Sequence, residues 1–130
     1  MEDILHRPRR SVLYVPGSNE KAQSKISSLE VDALIYDLED AVAPAAKDHA
    51  RSIIIDLVNS NQHAQKEQVV RINSDDTEFG KKDYEILEKC EPDAILVPKV
   101  NHPDDILKYV PYLQNKKTII WAMMETPHAI

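Results

Sequence analysis

Five short runs of β-branched and aromatic residues, separated by stretches of helical periodicity, leave few folds open to this chain. Residues 11–15 (Ser-Val-Leu-Tyr-Val) break into a turn at Pro16-Gly17. Ser18 or Asn19 then offers an N-cap, with Glu20 in the first turn, for a helix expected to reach about Glu30 on an Ile26/Leu29 stripe. Residues 31–38 are almost continuously apolar, as a strand covered on both faces must be. From about Ala45, residues Ala46, Ala50, Ile53, Ile54, Leu57 and Val58 recur at helical spacing until Asn59-Ser-Asn61. The pattern repeats with a strand at 69–73, a helix from Thr77 to Cys90 ended by Pro92-Asp93, a strand at 94–100, and a helix opened by Asn101-His-Pro-Asp104. A last strand, 118–124, runs into Glu125. Strands alternating with helices define βα units whose strands are parallel. The expected class is α/β: a doubly wound sheet, or the first five strands of a (β/α)8 TIM barrel, which in full takes about 250 residues. The truncated barrel, as one domain spanning 1–130, is the preferred reading.

The second strand is where chemistry enters. Its apolar run ends abruptly in Asp37, Glu39 and Asp40, three carboxylates within four positions. Parallel folds bind ligands beyond the carboxyl ends of their strands, so a cationic or reactive partner is expected there. The other strands end similarly: Arg71 and Asn73 on the third, Lys99 on the fourth, Glu125 on the fifth. Alternation puts Arg71 and Asn73 on one face, with Val70 and Ile72 on the other, and gives Asp37 and Glu39 a common face. Glu125 follows what reads as the most buried strand, so it is expected to be paired, protonated or metal-bound. Mg²⁺ commonly takes one or two carboxylates plus water and substrate oxygens, which makes Glu125 a candidate metal ligand with Glu39 beside it. Arg71 is either a rim ion pair with Asp75 or Asp76, or a planar fork for a substrate carboxylate or oxyanion. Lys99 is read as ion-paired across the mouth rather than as a Schiff-base lysine.

Composition narrows the partners. A formal net charge of −6 gives no basic face for nucleic acid, apart from the short run His6-Arg-Pro-Arg-Arg10. No apolar run approaches the roughly 20 residues of a membrane span, and the default location is cytoplasmic. The single Cys90 excludes an internal disulfide. Two glycines, Gly17 and Gly80, are too few for a nucleotide-binding fingerprint. The five histidines show no metal-ligand spacing and read as surface residues.

Taken together, the tips form a familiar series. Arg10-Ser-Val-Leu-Tyr-Val-Pro-Gly-Ser-Asn19, Asp37-Leu-Glu-Asp-Ala-Val-Ala-Pro44 with Lys47 and Arg51, Val70-Arg-Ile-Asn73, Val97-Pro-Lys-Val100 and Met124-Glu-Thr-Pro127 resemble, in order and spacing, the citrate lyase β-subunit family within the HpcH/HpaI aldolases. The resemblance implies a TIM barrel, trimeric or hexameric or joined to other citrate lyase subunits. Its implied activity is Mg²⁺-dependent cleavage of a carbon–carbon bond in a 3-hydroxyacyl-CoA, with citryl-CoA giving acetyl-CoA and oxaloacetate. Malyl-CoA or citramalyl-CoA lyases and thioesterases share every motif. A non-catalytic remnant that binds CoA esters or a partner subunit is a further alternative. By resemblance, Glu125 ligates the metal and faces substrate, Arg71 binds substrate, Arg10 lies near CoA and substrate, and Glu39 and Asp40 are catalytic acids that order the metal's surroundings. The family's second metal-ligating aspartate and a later proton-transfer aspartate have no counterpart here. The chain alone is therefore expected to be an N-terminal portion with impaired metal binding and little activity.

Overall fold

The computed structural model describes residues 6–130. Five strands, β1 (Val12–Pro16), β2 (Ala33–Asp37), β3 (Glu67–Arg71), β4 (Ala94–Val97) and β5 (Ile119–Ala122), form one sheet in the order β1-β2-β3-β4-β5, with every neighbouring pair parallel. A doubly wound sheet reverses direction part-way and places its first strand inside. Here each strand is laid beside its predecessor without reversal, which is how the strands of a (β/α)8 barrel succeed one another.

Between the strands lie α1 (Glu20–Ser24), α2 (Lys47–Asn59), α3 (Glu78–Lys82), α4 (Tyr84–Lys89) and α5 (Asp104–Leu107). The first helix is shorter than its periodicity suggests. Asn19 caps it by accepting from the Ala22 N–H, but after Ser24 the chain tightens into a 3₁₀ turn at Ile26–Ser28. The expected single helix over 77–90 is two pieces joined at Asp83. Thr77 caps the first piece by accepting from the Gly80 N–H. A Cβ at Gly80 would lie 2.0 Å from the Ser74 carbonyl oxygen, so only glycine lets α3 close back on the end of β3.

Strand alternation divides the buried side chains into two layers. Leu34, Tyr36, Val70, Ile95 and Val97 pack with Ile54, Val58, Ile86 and Leu87 of the helices. Ile35, Val69, Ala94 and Leu96 point to the other face, joined by Ile119, Trp121 and Met123. That second face is the interior of the incipient barrel. Burial of each large aliphatic side chain contributes on the order of 1.5–3 kcal/mol, and the helix-side layer contains most of them.

One expectation fails here. β5 is not the most buried strand: Ile119, Ile120 and Trp121 are half-buried and Ala122 is exposed, whereas β2, β3 and β4 are buried throughout. Among the described residues β5 pairs only with β4, so its apolar side chains have neighbours on one side alone. Continuous apolarity marks a strand's allegiance to a core without fixing its position in the sheet.

Candidate active site at the carboxyl ends of the strands

Asp37 closes β2 and Arg71 closes β3, and the two are register partners in the parallel ladder. Adjacent strand ends therefore present an acid and a base on one face by construction. Arg71 donates from Nε to Asp37 Oδ1 at 2.7 Å and from Nη2 to Oδ2 at 2.5 Å, a bidentate pair. The Glu39 and Ala41 backbone N–H groups also donate to Asp37, at 2.9 and 3.0 Å, so the carboxylate is fully used. Burial alone would raise its pKa, but the Arg71 fork and these two N–H groups hold it below the usual carboxylate value. Arg71 in turn is raised, first by its hydrogen bond to Asp37. Its guanidinium lies 4.9 Å from the Tyr14 ring centroid.

This corrects the rim ion pair expected of Arg71: its partner is Asp37 rather than Asp75 or Asp76, and Nε and Nη2 of the fork are engaged by it. The side of the guanidinium that remains is Nη1, which lies 3.6 Å from Glu39 Oε1 and 3.7 Å from the Met123 sulfur.

Glu39 is buried beyond the tip of β2, with only 7% of its surface exposed. Its Oε1 has no hydrogen-bond partner, and among the described residues it is the one buried side-chain carboxylate oxygen in that state. Burial raises its pKa, against the opposing pull of Lys99 and Arg71. Oε2 lies 3.3 Å from Lys99 Nζ. Asp40 next to it is exposed.

Lys99 links the second strand tip to the fifth. Its backbone N–H donates to Glu125 Oε1 at 2.9 Å while its ammonium reaches Glu39. Its φ of 51° lies in the left-handed region, where a residue with a Cβ is uncommon. Its pKa is raised, first by the hydrogen bond to Glu39. Glu125 is exposed rather than buried, because β5 is a sheet edge and the chain leaves it at Met123. The tips of β2, β3 and β5, and the loop after β4, thus meet around one rim, with Glu39, Arg71, Lys99 and Glu125 in a connected set.

Arg10 is not in that set. It precedes β1, and its side chain pairs with Asp32, which precedes β2, at 3.1 and 3.0 Å, so it stands at the opposite rim where the strands begin. Asn73 also departs from its expected face. β3 ends at Arg71, alternation stops there, and Asn73 turns toward the helices, where its Nδ2 donates to Leu38 O and to Asp83 Oδ2.

Behind the rim lies a buried network whose extent the sequence did not reveal. Lys47 donates from Nζ to Leu38 O, Glu39 O and Asn73 Oδ1 at 2.7, 2.8 and 2.8 Å, using all three of its protons. Burial lowers its pKa, while Asp83, Asp37 and Glu39 act to raise it. Asp83 Oδ2 accepts from the Asn73 N–H, and Asp83 Oδ1 accepts from Arg51 Nε at 2.8 Å. Asp83 is not singled out by strand-end patterning; its signal in the sequence is a carboxylate among the apolar positions of a helical stretch. A Cβ on Gly17 would meet Asp37 O at 2.9 Å, and the Gly17 N–H donates to that same oxygen at 2.9 Å, so the end of β1 is also clamped to Asp37.

Among the described residues no three His, Cys, Asp or Glu side chains are preassembled as a metal cluster. The donor chemistry nonetheless fits Mg²⁺. Glu39 and Glu125 are hard oxygen donors bridged through one lysine, and buried Glu39 Oε1 accepts no hydrogen bond, facing only Arg71 Nη1 at 3.6 Å.

The fold and this rim define a class: an α/β protein of the (β/α)8-barrel type with a connected set of charged groups at the carboxyl ends of the strands. Residues 10–130 match the HpcH/HpaI aldolase/citrate lyase family, and the chain belongs to that family. It is 43% identical over 122 residues to a (3S)-malyl-CoA thioesterase of Cereibacter sphaeroides, covering 92% of this chain and 41% of that protein. To the human mitochondrial citramalyl-CoA lyase it is 40% identical over 101 residues, covering 76% of this chain and 30% of that one. The structure of a citrate lyase beta subunit from M. tuberculosis, complexed with oxaloacetate and magnesium, superposes with a TM-score of 0.70 at 27% identity, over 92% of this chain and 50% of that one. The chain therefore spans half or less of the length of these relatives.

Proposed function

We propose that this chain supplies the metal- and substrate-facing part of a Mg²⁺-dependent lyase that cleaves a carbon–carbon bond in a 3-hydroxyacyl-CoA. The observation that carries the reading is the connected set Glu39–Arg71–Lys99–Glu125 at the strand ends. In the retro-aldol direction a hydroxyl loses its proton, the bond between the carbinol and α carbons breaks, and the acyl-CoA leaves as an enolate that is then protonated. Mg²⁺, when bound, supplies a Lewis acid and template for the hydroxyl and carboxylate oxygens. Glu125 and Glu39 are the residues that would hold it, with exposed Asp40 adding negative charge nearby. Arg71, fixed by Asp37 and turned by its Nη1 toward Glu39, supplies preorganised positive charge where an oxyanion develops. No covalent intermediate is required, so Lys99 is not assigned as a nucleophile.

Citryl-CoA, giving acetyl-CoA and oxaloacetate, is one substrate of this type. The 43% identity to a (3S)-malyl-CoA thioesterase favours a second reading, thioester hydrolysis of a malyl-type ester on the same rim. Products separate them. A lyase releases a keto acid and an acyl-CoA, whereas a thioesterase releases free thiol and the hydroxy acid. Citryl-, malyl- and citramalyl-CoA should be offered with and without Mg²⁺ to this chain and to a form extended by the remaining strands of a relative. Keto acid formation that depends on Mg²⁺ and disappears in Glu125→Gln supports the lyase. Turnover unchanged by that substitution removes Glu125 from the mechanism, and no turnover of any ester by either form rejects the enzyme reading.

A further inference from the structure

Lys99 occupies an unusual position for a lysine. Its backbone is left-handed, at φ 51°, a conformation that glycine and asparagine adopt at less cost. That backbone aims the N–H at Glu125 Oε1, 2.9 Å away, and sends the side chain to Glu39 Oε2, 3.3 Å away. One residue thus touches both carboxylates that the preceding reading gives to the metal, one through its main chain and one through its ammonium. The two partners differ in permanence. The main-chain contact is fixed by the loop that follows β4, while the side chain is 59% exposed and free to swing into solvent. Glu39 shows the same division: Oε2 has the ammonium, and buried Oε1 has no hydrogen bond at all.

We infer that Lys99 is a resident counter-cation: its ammonium holds the Glu39 carboxylate in place while the metal is absent, and a divalent ion must displace it to bind. The inference rests on the proposed metal-binding role of Glu39 and Glu125. Its physical basis is charge balance. Buried Glu39 needs cations nearby: Arg71 Nη1, ion-paired to Oε1 at 3.6 Å, is itself held by Asp37, and the lysine at 3.3 Å from Oε2 is the exchangeable one until a stronger cation arrives. A positive charge within a few ångströms of a site opposes entry of a second one, so the same residue lowers metal affinity. The left-handed backbone lets Lys99 meet the two carboxylates by two different groups at once.

The test is Mn²⁺ and Mg²⁺ binding to the whole chain, read by calorimetry and by Mn²⁺ electron paramagnetic resonance without substrate. Lys99→Met should bind Mn²⁺ about tenfold more tightly than the unaltered chain. Lys99→Gly, which also removes the ammonium but relaxes the backbone, should do the same, while Lys99→Arg should stay within about twofold of the unaltered chain. In a Glu39→Gln background, adding Lys99→Met should change affinity by less than about twofold, because the ammonium no longer has its carboxylate. Equal or weaker binding by both Lys99→Met and Lys99→Gly overturns the inference while leaving the metal reading intact. Binding that is unaffected by Glu125→Gln, or no binding by any form, overturns the metal reading itself and the inference with it.

Discussion

Where the strands begin, Arg9 grips Glu67 through Nε at 2.6 Å and Nη2 at 2.9 Å, Arg10 grips Asp32, and Arg7 lies 3.7 Å from Glu67 and 3.6 Å from Asp93. Where they end, Arg71 grips Asp37 with the same bidentate geometry. The two rims are built from the same residue types, yet at the first rim each oxygen of Glu67 and Asp32 has a hydrogen-bond donor. At the second, full hydrogen bonding stops at Asp37, and buried Glu39 Oε1 accepts no hydrogen bond, only the ion pair with Arg71 Nη1 at 3.6 Å. A closed charge network contributes to holding a fold together; an open one is held in place by its surroundings at some cost to stability. The open rim is also the one with the lysine bridge, the second carboxylate and a three-bond lysine anchor behind it.

The contrast breaks most visibly at Asp37. Asp37→Ala leaves Arg71 buried without its partner and should cost about 3–5 kcal/mol in urea unfolding. Glu67→Ala at the other rim should cost less, about 1–3 kcal/mol, because Arg9 is 30% exposed and can turn to water. Glu39→Gln should move the other way. Its raised pKa means that the charged carboxylate opposes folding, a penalty that grows as pH rises past the unfolded value of 4.5, so the variant should unfold at a higher urea concentration than the unaltered chain at pH 7. If Glu39→Gln destabilises as much as Asp37→Ala, the second rim is as closed as the first and the distinction fails.

The smallest effects are in the pH dependence. His63 is buried with its Nε2 unpartnered, contrary to the surface placement expected of all five histidines, and burial lowers its pKa. A base whose folded pKa is lowered contributes stability above its unfolded value of 6.5, and that stability is lost as pH falls through it. Asp32, held at about 2 by Arg10, gives a later loss as pH falls from 3.8 toward that value. Thermal melts should show two acid limbs, with His63→Leu flattening the upper and Asp32→Asn part of the lower. An unchanged upper limb in His63→Leu assigns it to another group.

Much of this was legible because parallel folds write their active rim into the sequence. Polar residues interrupting apolar runs at 37, 71 and 99 are visible without coordinates, and the parallel register then brings Asp37 and Arg71 side by side. What alternation cannot foresee begins where a strand ends. Asn73 lies two residues beyond Arg71 but faces the helices, Lys99 points where it does because of a left-handed backbone, and Asp83 acts from a break in an expected helix. Arg10 is adjacent in sequence to β1 yet belongs to the far rim, a matter of strand direction. The apolarity of β5 implies a buried Glu125, whereas its exposure depends on what lies beside that strand.

On the proposed reading, Glu39, Arg71, Lys99 and Glu125 surround one divalent-cation site at the carboxyl ends of the strands. Titrating Mn²⁺ into isotopically labelled protein and following paramagnetic broadening of backbone amide resonances tests it directly. The account predicts broadening first at residues 39–41, 71–73, 99 and 125, with Arg10, Asp32 and Glu67 at the far rim unaffected at the same ion concentration. Broadening spread evenly over both rims, or centred on the far one, would contradict it.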